Sequence, residues 1–323
     1  MIDSDRLSGL IADHWGLVDV RVEVHNGGMN SATWWIDHDG RRDVAKHVPG
    51  WNRDQFVGGL TVASHVQRAG IPAGAPILTA SGRLAVETAD GPVALLQYVP
   101  GAGPPDDESG LRVIGETLGR VHVAVRDIRM AGAEQFHWVD PNAAHLDHAP
   151  AWVKPGVVKA LTMLDALDPK SLTCGMLHTD PVPGAFLVDP ATGDVGLIDW
   201  SVAMHGPLLY DLASAVMYAG GKVAAQSLLA GYVRTGALGE DEIERGLDVF
   251  HRFRWAVQAD YFAKRIATRD MTGIEDARGN EMGMLAAREF LVEPLPRRPT
   301  FGSRYSCNSP TASNPPPRTP GRP

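Results

Sequence analysis

Two carboxylates set the chemistry this chain could perform. Asp180 follows a histidine in Leu177-His178-Thr179-Asp180-Pro181-Val182-Pro183-Gly184-Ala185, and Asp199 closes the apolar run Val195-Gly196-Leu197-Ile198 just before Trp200. Phosphoryl transfer divides labour in this way: one carboxylate orients the attacking hydroxyl and accepts its proton, and another holds the magnesium that bridges the nucleotide phosphates. Asp180 is therefore read as the catalytic base. His178 is grouped with it, more as a brace for the loop than as a proton carrier. Asp199, at the end of a short strand, suits a hard cation that prefers oxygen ligands.

Such a pair needs a phosphate site opposite it. Asp43-Val44-Ala45-Lys46-His47-Val48 sets Lys46 within an otherwise apolar strand, where its ammonium can reach nucleotide phosphates. The small residues of Asn26-Gly27-Gly28-Met29-Asn30-Ser31 let backbone amides approach a phosphate, so Gly27, Gly28, Asn30 and Ser31 join the candidate nucleotide site. Leu95-Leu96-Gln97-Tyr98-Val99-Pro100-Gly101 reads as a strap between two lobes, with the backbone at Gln97 and Val99 facing the base.

The elements that must position these groups can be read from periodicity and turn chemistry. An amphipathic helix spans Ser4 to Trp15. Strands follow at Val20 to Val24, Ala32 to Asp37 and Asp43 to Val48, with Asp39-Gly40 as a hairpin signal between the last two. A helix from Phe56 to Ala69 ends at Gly70, and short strands at Ile77, Leu84 and Val93 complete an antiparallel sheet. Beyond residue 100 the pattern is helical: Leu111 to Asp127, Val157 to Leu167, Leu208 to Ala219, Val223 to Thr235, Glu240 to Thr268 and Ile274 to Phe290. The hairpin holding the two carboxylates interrupts it, with its tip at Pro190-Ala191-Thr192-Gly193. The expected architecture is α+β and bilobal: a nucleotide lobe over 1–98, a catalytic and substrate lobe over 99–293, and a disordered tail over 294–323.

Composition narrows the setting. A hydrophobic fraction of 44% and a charged fraction of 21% are those of an ordinary globular protein. No apolar run is long enough to span a membrane, and the start of the chain has neither the basic end nor the apolar centre of a signal peptide. Two cysteines in 323 residues fit a reducing cytoplasm. The net charge of −8 argues against general nucleic-acid binding and is compatible with a cationic ligand. Residues 294–323 hold nine of the 24 prolines and five arginines with no acid, which concentrates the negative charge on the rest of the chain.

His178-Thr179-Asp180, Leu197-Ile198-Asp199-Trp200 and Gly206-Pro207-x-x-Tyr210-Asp211-Leu212-Ala213 together resemble the aminoglycoside phosphotransferase/choline kinase family. The likeness takes in Gly70-Ile71-Pro72 and Leu118-Gly119-Arg120-Val121-His122 and spans roughly residues 15–290. It implies a protein-kinase-like fold and transfer of the γ-phosphate of ATP, or of GTP, with Mg2+, to the hydroxyl of a small molecule. Three departures are visible. Thr179 replaces the family's usual Gly, read as a mild change. Ala185 stands where the family has a metal-binding Asn. The helix from Phe56 to Ala69 holds no acid to pair with Lys46; Gly58, Gly59 and Thr61 occupy the expected positions. The second and third keep open an alternative, a pseudokinase-like nucleotide or ligand binder.

The acceptor is expected against the helical lobe near Asp180. Trp255, Gln258 and Asp260 are its candidate contacts, because Trp with Asp suits an amine. Asp211, in the first turn of a helix, is read as structural and as an anchor for the metal loop.

Overall fold

The structure, a computed structural model, describes residues 2–25, 31–130, 136–168, 171–274 and 276–292. The first part of the chain runs α1 (Ser4–Trp15), β1 (Arg21–His25), β2 (Ala32–His38), β3 (Arg41–His47), α2 (Arg53–Arg68), β4 (Pro76–Ile77), β5 (Val86–Thr88) and β6 (Gly91–Gln97). The second runs α3 (Glu108–Val125), α4 (Ala144–Asp147), α5 (Val153–Asp165), β7 (Cys174–Leu177), β8 (Phe186–Val188), β9 (Val195–Leu197), β10 (Met204–Pro207), α6 (Leu209–Tyr218), α7 (Gln226–Val233), α8 (Glu240–Thr268), α9 (Arg278–Ala286) and α10 (Arg288–Leu291). The proposed tail at 294–323 lies outside the described residues.

The first six strands form one antiparallel sheet in the order β1-β2-β3-β6-β4, with β5 also paired to β6. Asp39 and Gly40, at φ 47° and 72°, make the β2–β3 turn in the left-handed conformation that a tight hairpin requires. Helix α1 begins where the Asp3 carboxylate accepts the Arg6 amide at 2.8 Å, and it stops at Gly16 with φ 71°. Its Leu7 and Ile11 pack on Trp34, Ile36, Ala45, Val93 and Leu95, which seals one face of the sheet. Each fully buried leucine, isoleucine or valine among these contributes about 1.5–3 kcal/mol by leaving water. Strand alternation puts Lys46 on the opposite face, opposite Thr33 and Ala94 in register.

The larger core belongs to the helical part. Leu118 and Val121 of α3, Leu212 and Val216 of α6, and Phe250 and Phe253 of α8 all lie within it, buried. Two short antiparallel pairs are set into it: β8 with β9, the expected hairpin, and β7 with β10. The β10 strand corrects the sequence reading, which ran the stretch around Gly206-Pro207 straight into a helix. Leu177 pairs with Met204, so the segments carrying Asp180 and Asp199 leave and re-enter the same ladder.

The β8–β9 hairpin is clamped under the strap that leaves β6. Leu197 donates its amide to the Pro72 carbonyl at 2.9 Å, and Ala102 exchanges backbone bonds with Val188. Gly196 permits this approach: a Cβ there would sit 2.7 Å from the Pro72 carbonyl oxygen. Asp199 is thereby held at a fixed height beneath the sheet.

Candidate active site

The strand β3 and the β9 hairpin bring Lys46 and Asp199 together across the two lobes. Lys46 Nζ donates to Asp199 Oδ1 at 2.5 Å, and Ser201 Oγ donates to the same oxygen at 2.9 Å. Lys46 is buried, whereas the Asp199 side chain keeps 55% of its surface exposed. Burial by the surrounding protein would raise the Asp199 pKa. The Lys46 ammonium, the hydrogen bonds from Lys46 and Ser201, and the His178 ring outweigh it and hold the carboxyl well below the usual carboxylate range. Asp199 is thus a permanent anion near neutrality.

Lys46 has this partner because α2 supplies none. The helix starts at Arg53 and so includes Asp54, but that carboxylate is exposed and bonded to Arg53 at 2.8 Å. What α2 contributes is closeness. A Cβ on Gly59 would fall 1.7 Å from the Trp200 carbonyl oxygen, so the helix backbone rests directly on the loop that carries Asp199. Asn52, buried just ahead of α2, reaches the same loop through Nδ2 to the Ser201 carbonyl at 3.4 Å.

The Asp180 loop has a different anchor. Asp211, fully buried on α6, accepts the amides of His178 at 2.6 Å and Thr179 at 2.7 Å. His122 of α3 bonds the same carboxylate at 3.1 Å and Tyr232 of α7 at 2.6 Å. Asp211 lies buried in the fold and fixes the loop of Asp180 rather than the loop of Asp199. The Asp199 loop is tied instead by His178, whose Nε2 donates to the Ile198 carbonyl at 2.7 Å and whose ring meets Trp200 edge-on at 4.8 Å. His178 therefore spans the two carboxylate loops.

Thr179 corrects the expectation of a mild change. Its φ is 73°, a left-handed conformation that costs a β-branched residue of order 1–3 kcal/mol. A glycine would sit there freely. The threonine is held by its amide bond to Asp211 and by Oγ1 donating to the Val202 carbonyl at 3.0 Å.

Asp180 itself is half exposed and lies beside two residues that the sequence reading did not single out. Tyr218, at the end of α6, donates its hydroxyl to Asp180 Oδ1, and Arg254 Nη2 from α8 reaches the same oxygen at 3.2 Å. Arg254 also donates to the Tyr218 hydroxyl at 3.0 Å and, through Nε, to Ser214 Oγ at 3.0 Å. Burial alone would lower the Arg254 pKa, but Tyr218, Tyr210 and Asp180 reverse that and raise it. Burial likewise raises the Tyr218 phenol, which keeps its proton. One sequence signal pointed to Arg254: it shares the buried stripe of Phe250 and Val257, where an arginine is kept only if it is paired.

Trp255, Gln258 and Asp260 face other neighbours. The Trp255 ring stacks on Phe290 at 4.4 Å and its Nε1 bonds His251 at 3.3 Å. Gln258 donates to the Gly283 carbonyl at 2.9 Å, and buried Asp260 accepts from His145 at 2.7 Å. Burial raises the Asp260 pKa, with His145 pulling the other way. None of the three bonds to Asp180.

In the candidate nucleotide site, Gly27, Gly28 and Asn30 lie outside the described residues, and Ser31 directly precedes β2. Gln97 ends β6 with its amide committed to the Ala75 carbonyl at 2.9 Å and its side chain to Gln67 at 2.5 Å. Its amide therefore cannot donate to a base. Val99 packs over Gly196 of the hairpin.

The donor set fits magnesium as a shared ligand and not as a caged one. Among the described residues no group of three or more His, Cys, Asp or Glu could hold a metal. Lys46 and Ser201 both occupy Asp199 Oδ1, and among the described residues nothing donates to Oδ2. Ala185, buried behind the loop, offers only a methyl, and its carbonyl takes the Ile198 amide at 2.9 Å. A hard cation completed by phosphate oxygens and water needs no more from the protein than Asp199.

The model of the phosphotransferase enzyme family (APH) matches residues 21–247, more than two thirds of the chain, and takes in Lys46, His178, Asp180, Asp199, Asp211 and Tyr218 but not Arg254, Trp255, Gln258 or Asp260. The chain belongs to that family. Within the phosphotransferase family it is similar to homoserine kinases, 27% identical over 201 residues to that of Methylobacillus flagellatus and 29% over 171 residues to that of Xanthobacter autotrophicus. Those alignments take in 58% and 50% of this chain, and 60% and 52% of the two kinases. The fold is that of an amicoumacin kinase in complex with AMP-PNP and Ca2+ (TM-score 0.68, 14% identity, 90% of this chain and 93% of that one). It is also that of a spectinomycin phosphotransferase in complex with ADP and spectinomycin (0.64, 14%, 90% and 98%) and of a microcompartment-associated aminopropanol kinase (0.65, 17%, 89% and 95%). The protein-kinase-like α+β architecture follows from these.

Proposed function

We propose that this phosphotransferase is a small-molecule kinase that moves the γ-phosphate of ATP, or of GTP, to a hydroxyl group with Mg2+. The observation that carries this reading is the cross-lobe pair of Lys46 and Asp199, set beside a separately anchored Asp180. Lys46 supplies a fixed positive charge to the phosphates. Asp199 holds the metal through its carboxylate. Bound magnesium would neutralise charge on the phosphate oxygens. Asp180 orients the acceptor hydroxyl and takes its proton, held in place by Tyr218 and Arg254. The strap reads the base through backbone groups at Gln97 and Val99, which leaves ATP and GTP both open. Among the described residues no helix is long and apolar enough to cross a membrane. A cytoplasmic setting, with Cys174 a free thiol, belongs to the same proposal.

The test is Asp180→Asn. It removes the proton acceptor and keeps the shape, so phosphate transfer is lost while nucleotide binding stays at wild-type affinity. Retained turnover would contradict the assignment. Ala185 favours a second reading, a nucleotide or ligand binder without transfer. That reading predicts magnesium-independent binding and no ADP release with any acceptor.

A further inference from the structure

Asn52 departs from what its place in the chain would dictate. Asparagine is favoured immediately before a helix because its side-chain oxygen accepts an amide of the first turn. Asn52 holds that position ahead of α2 and makes no such bond. Its backbone, at φ −99° and ψ 11°, closes a 3-10 turn over Gly50–Asn52 instead of taking the extended capping conformation. The side chain is buried and crosses to the other lobe, where Nδ2 donates to the Ser201 carbonyl at 3.4 Å. A carbonyl accepts only from the nitrogen end of an amide, so the other end is fixed as Oδ1. That oxygen is buried, and among the described residues it has no hydrogen-bond partner. A capping bond not made and a buried acceptor left empty both lower stability. Local rules broken without local compensation mark a residue that serves something beyond its own segment.

The loop that Asn52 reaches needs holding. Asp199 has φ 72°, a left-handed conformation uncommon outside glycine that persists only where its surroundings fix it. Trp200 Nε1 closes back on the Leu197 carbonyl at 2.8 Å, and the α2 backbone at Gly59 bears on the Trp200 carbonyl. Asn52 takes the next carbonyl along, that of Ser201. This last contact reaches the carboxylate itself, because Ser201 Oγ is the hydroxyl that donates to Asp199 Oδ1. With Lys46 on the same oxygen, Oδ1 is filled, and among the described residues nothing donates to Oδ2. Resting on the kinase reading above, we propose that Asn52 is a positioning residue for Asp199. By holding the Ser201 carbonyl it keeps Ser201 Oγ on Oδ1, which leaves Oδ2 as the oxygen presented to the magnesium of a bound nucleotide.

The test uses the full chain and reads stability and nucleotide binding, neither of which requires the acceptor. ATP and GTP are titrated in parallel over a range of magnesium concentrations, and stability is measured by denaturant without nucleotide or metal. Asn52→Leu removes the bond to Ser201 together with the empty acceptor, at similar volume. Its stability should equal or exceed that of the wild type, because the unpaired buried oxygen is gone. The magnesium concentration that half-saturates nucleotide binding should rise roughly three- to tenfold, the size of one hydrogen bond. Ser201→Ala should show a rise of the same kind, and adding Asn52→Leu to it should raise the requirement no further, since residues that act through one another do not add. Asn52→Ser suits a helix start but is too short to span to the loop, and it repeats the test in a second background. An unchanged magnesium requirement in both Asn52 variants, a fall in stability in both, or additive losses in the double variant would overturn the proposal and leave the kinase reading standing. Failure of both variants to fold would assign Asn52 to the fold alone and overturn it equally. Absence of magnesium-dependent nucleotide binding in the wild type would overturn both.

Discussion

Lys46 Nζ sits 2.5 Å from Asp199 Oδ1, and this ion pair joins the sheet lobe to the helical lobe at the point where phosphates would enter. No carboxylate of α2 pairs with Lys46, because the helix's one acid, Asp54, is exposed and bonded to Arg53. Under the proposed function both partners act on a bound nucleotide, and the pair holds Asp199 ionised and Lys46 aimed before it arrives.

Gly59 is the steric condition for that arrangement. Its absent Cβ is what lets α2 rest on the Trp200 carbonyl, and a backbone atom at 1.7 Å cannot step aside. Gly59→Ala should cost about 1–3 kcal/mol as overpacking, even though alanine favours a helix by about 0.5–1 kcal/mol. Nucleotide affinity should fall with it as the Asp199 loop shifts. Gly9→Ala in α1, where a Cβ meets nothing within 4 Å, is the control and should be neutral or stabilising. Denaturant titration of both variants checks this; equal stability of the two would argue against the contact.

Thr179 separates strain from bonding. Thr179→Val keeps the left-handed backbone under a β-branched side chain and strips the partner from the Val202 carbonyl, so it should lose about 1–3 kcal/mol. Thr179→Gly loses the same bond but relieves the strain, and should stay within about 1 kcal/mol of the wild type. Urea midpoints of the two variants, read side by side, decide it.

His251 gives the fold a pH dependence of known sign. Burial among Trp255 and Phe290 pushes its pKa from 6.5 down to about 4, so the folded protein keeps the imidazole neutral where the unfolded chain would protonate it. The unfolded state binds more protons between those two values. Stability from this group is therefore full above pH 6.5 and is lost as pH falls toward 4, by up to about 3 kcal/mol. Chemical denaturation at pH 4.5 and 7.5 should show the slope in the wild type and a flatter one in His251→Gln. An identical slope in the variant would exclude His251 as its source.

Much of the scaffold was legible because local rules decide it. The bounds of α1 and α8 coincide with the periodic pattern, and Asp39-Gly40 makes the turn its chemistry calls for. The spacing of Asp180 and Asp199 located both loops. What escaped was set by distant partners. The β10 strand is four residues including Gly206 and Pro207, and is a strand only because β7 lies beside it. Arg254 lies 74 residues from Asp180 and was passed over for neighbours with more conspicuous side chains. The sequence pattern starts α2 at Phe56 and so leaves out its one acid, Asp54, which is turned to Arg53; how the helix meets the Asp199 loop depends on Gly59 against Trp200, which one-dimensional spacing does not contain.

The most direct test of the Lys46–Asp199 phosphate site is calorimetric titration of nucleotide, with ATP and GTP, each with magnesium and with chelator, into the wild type and Asp199→Ala. The site described above predicts binding that requires magnesium in the wild type and is lost or made metal-independent in the variant. Binding indifferent to both metal and Asp199, or no binding at all, would contradict it.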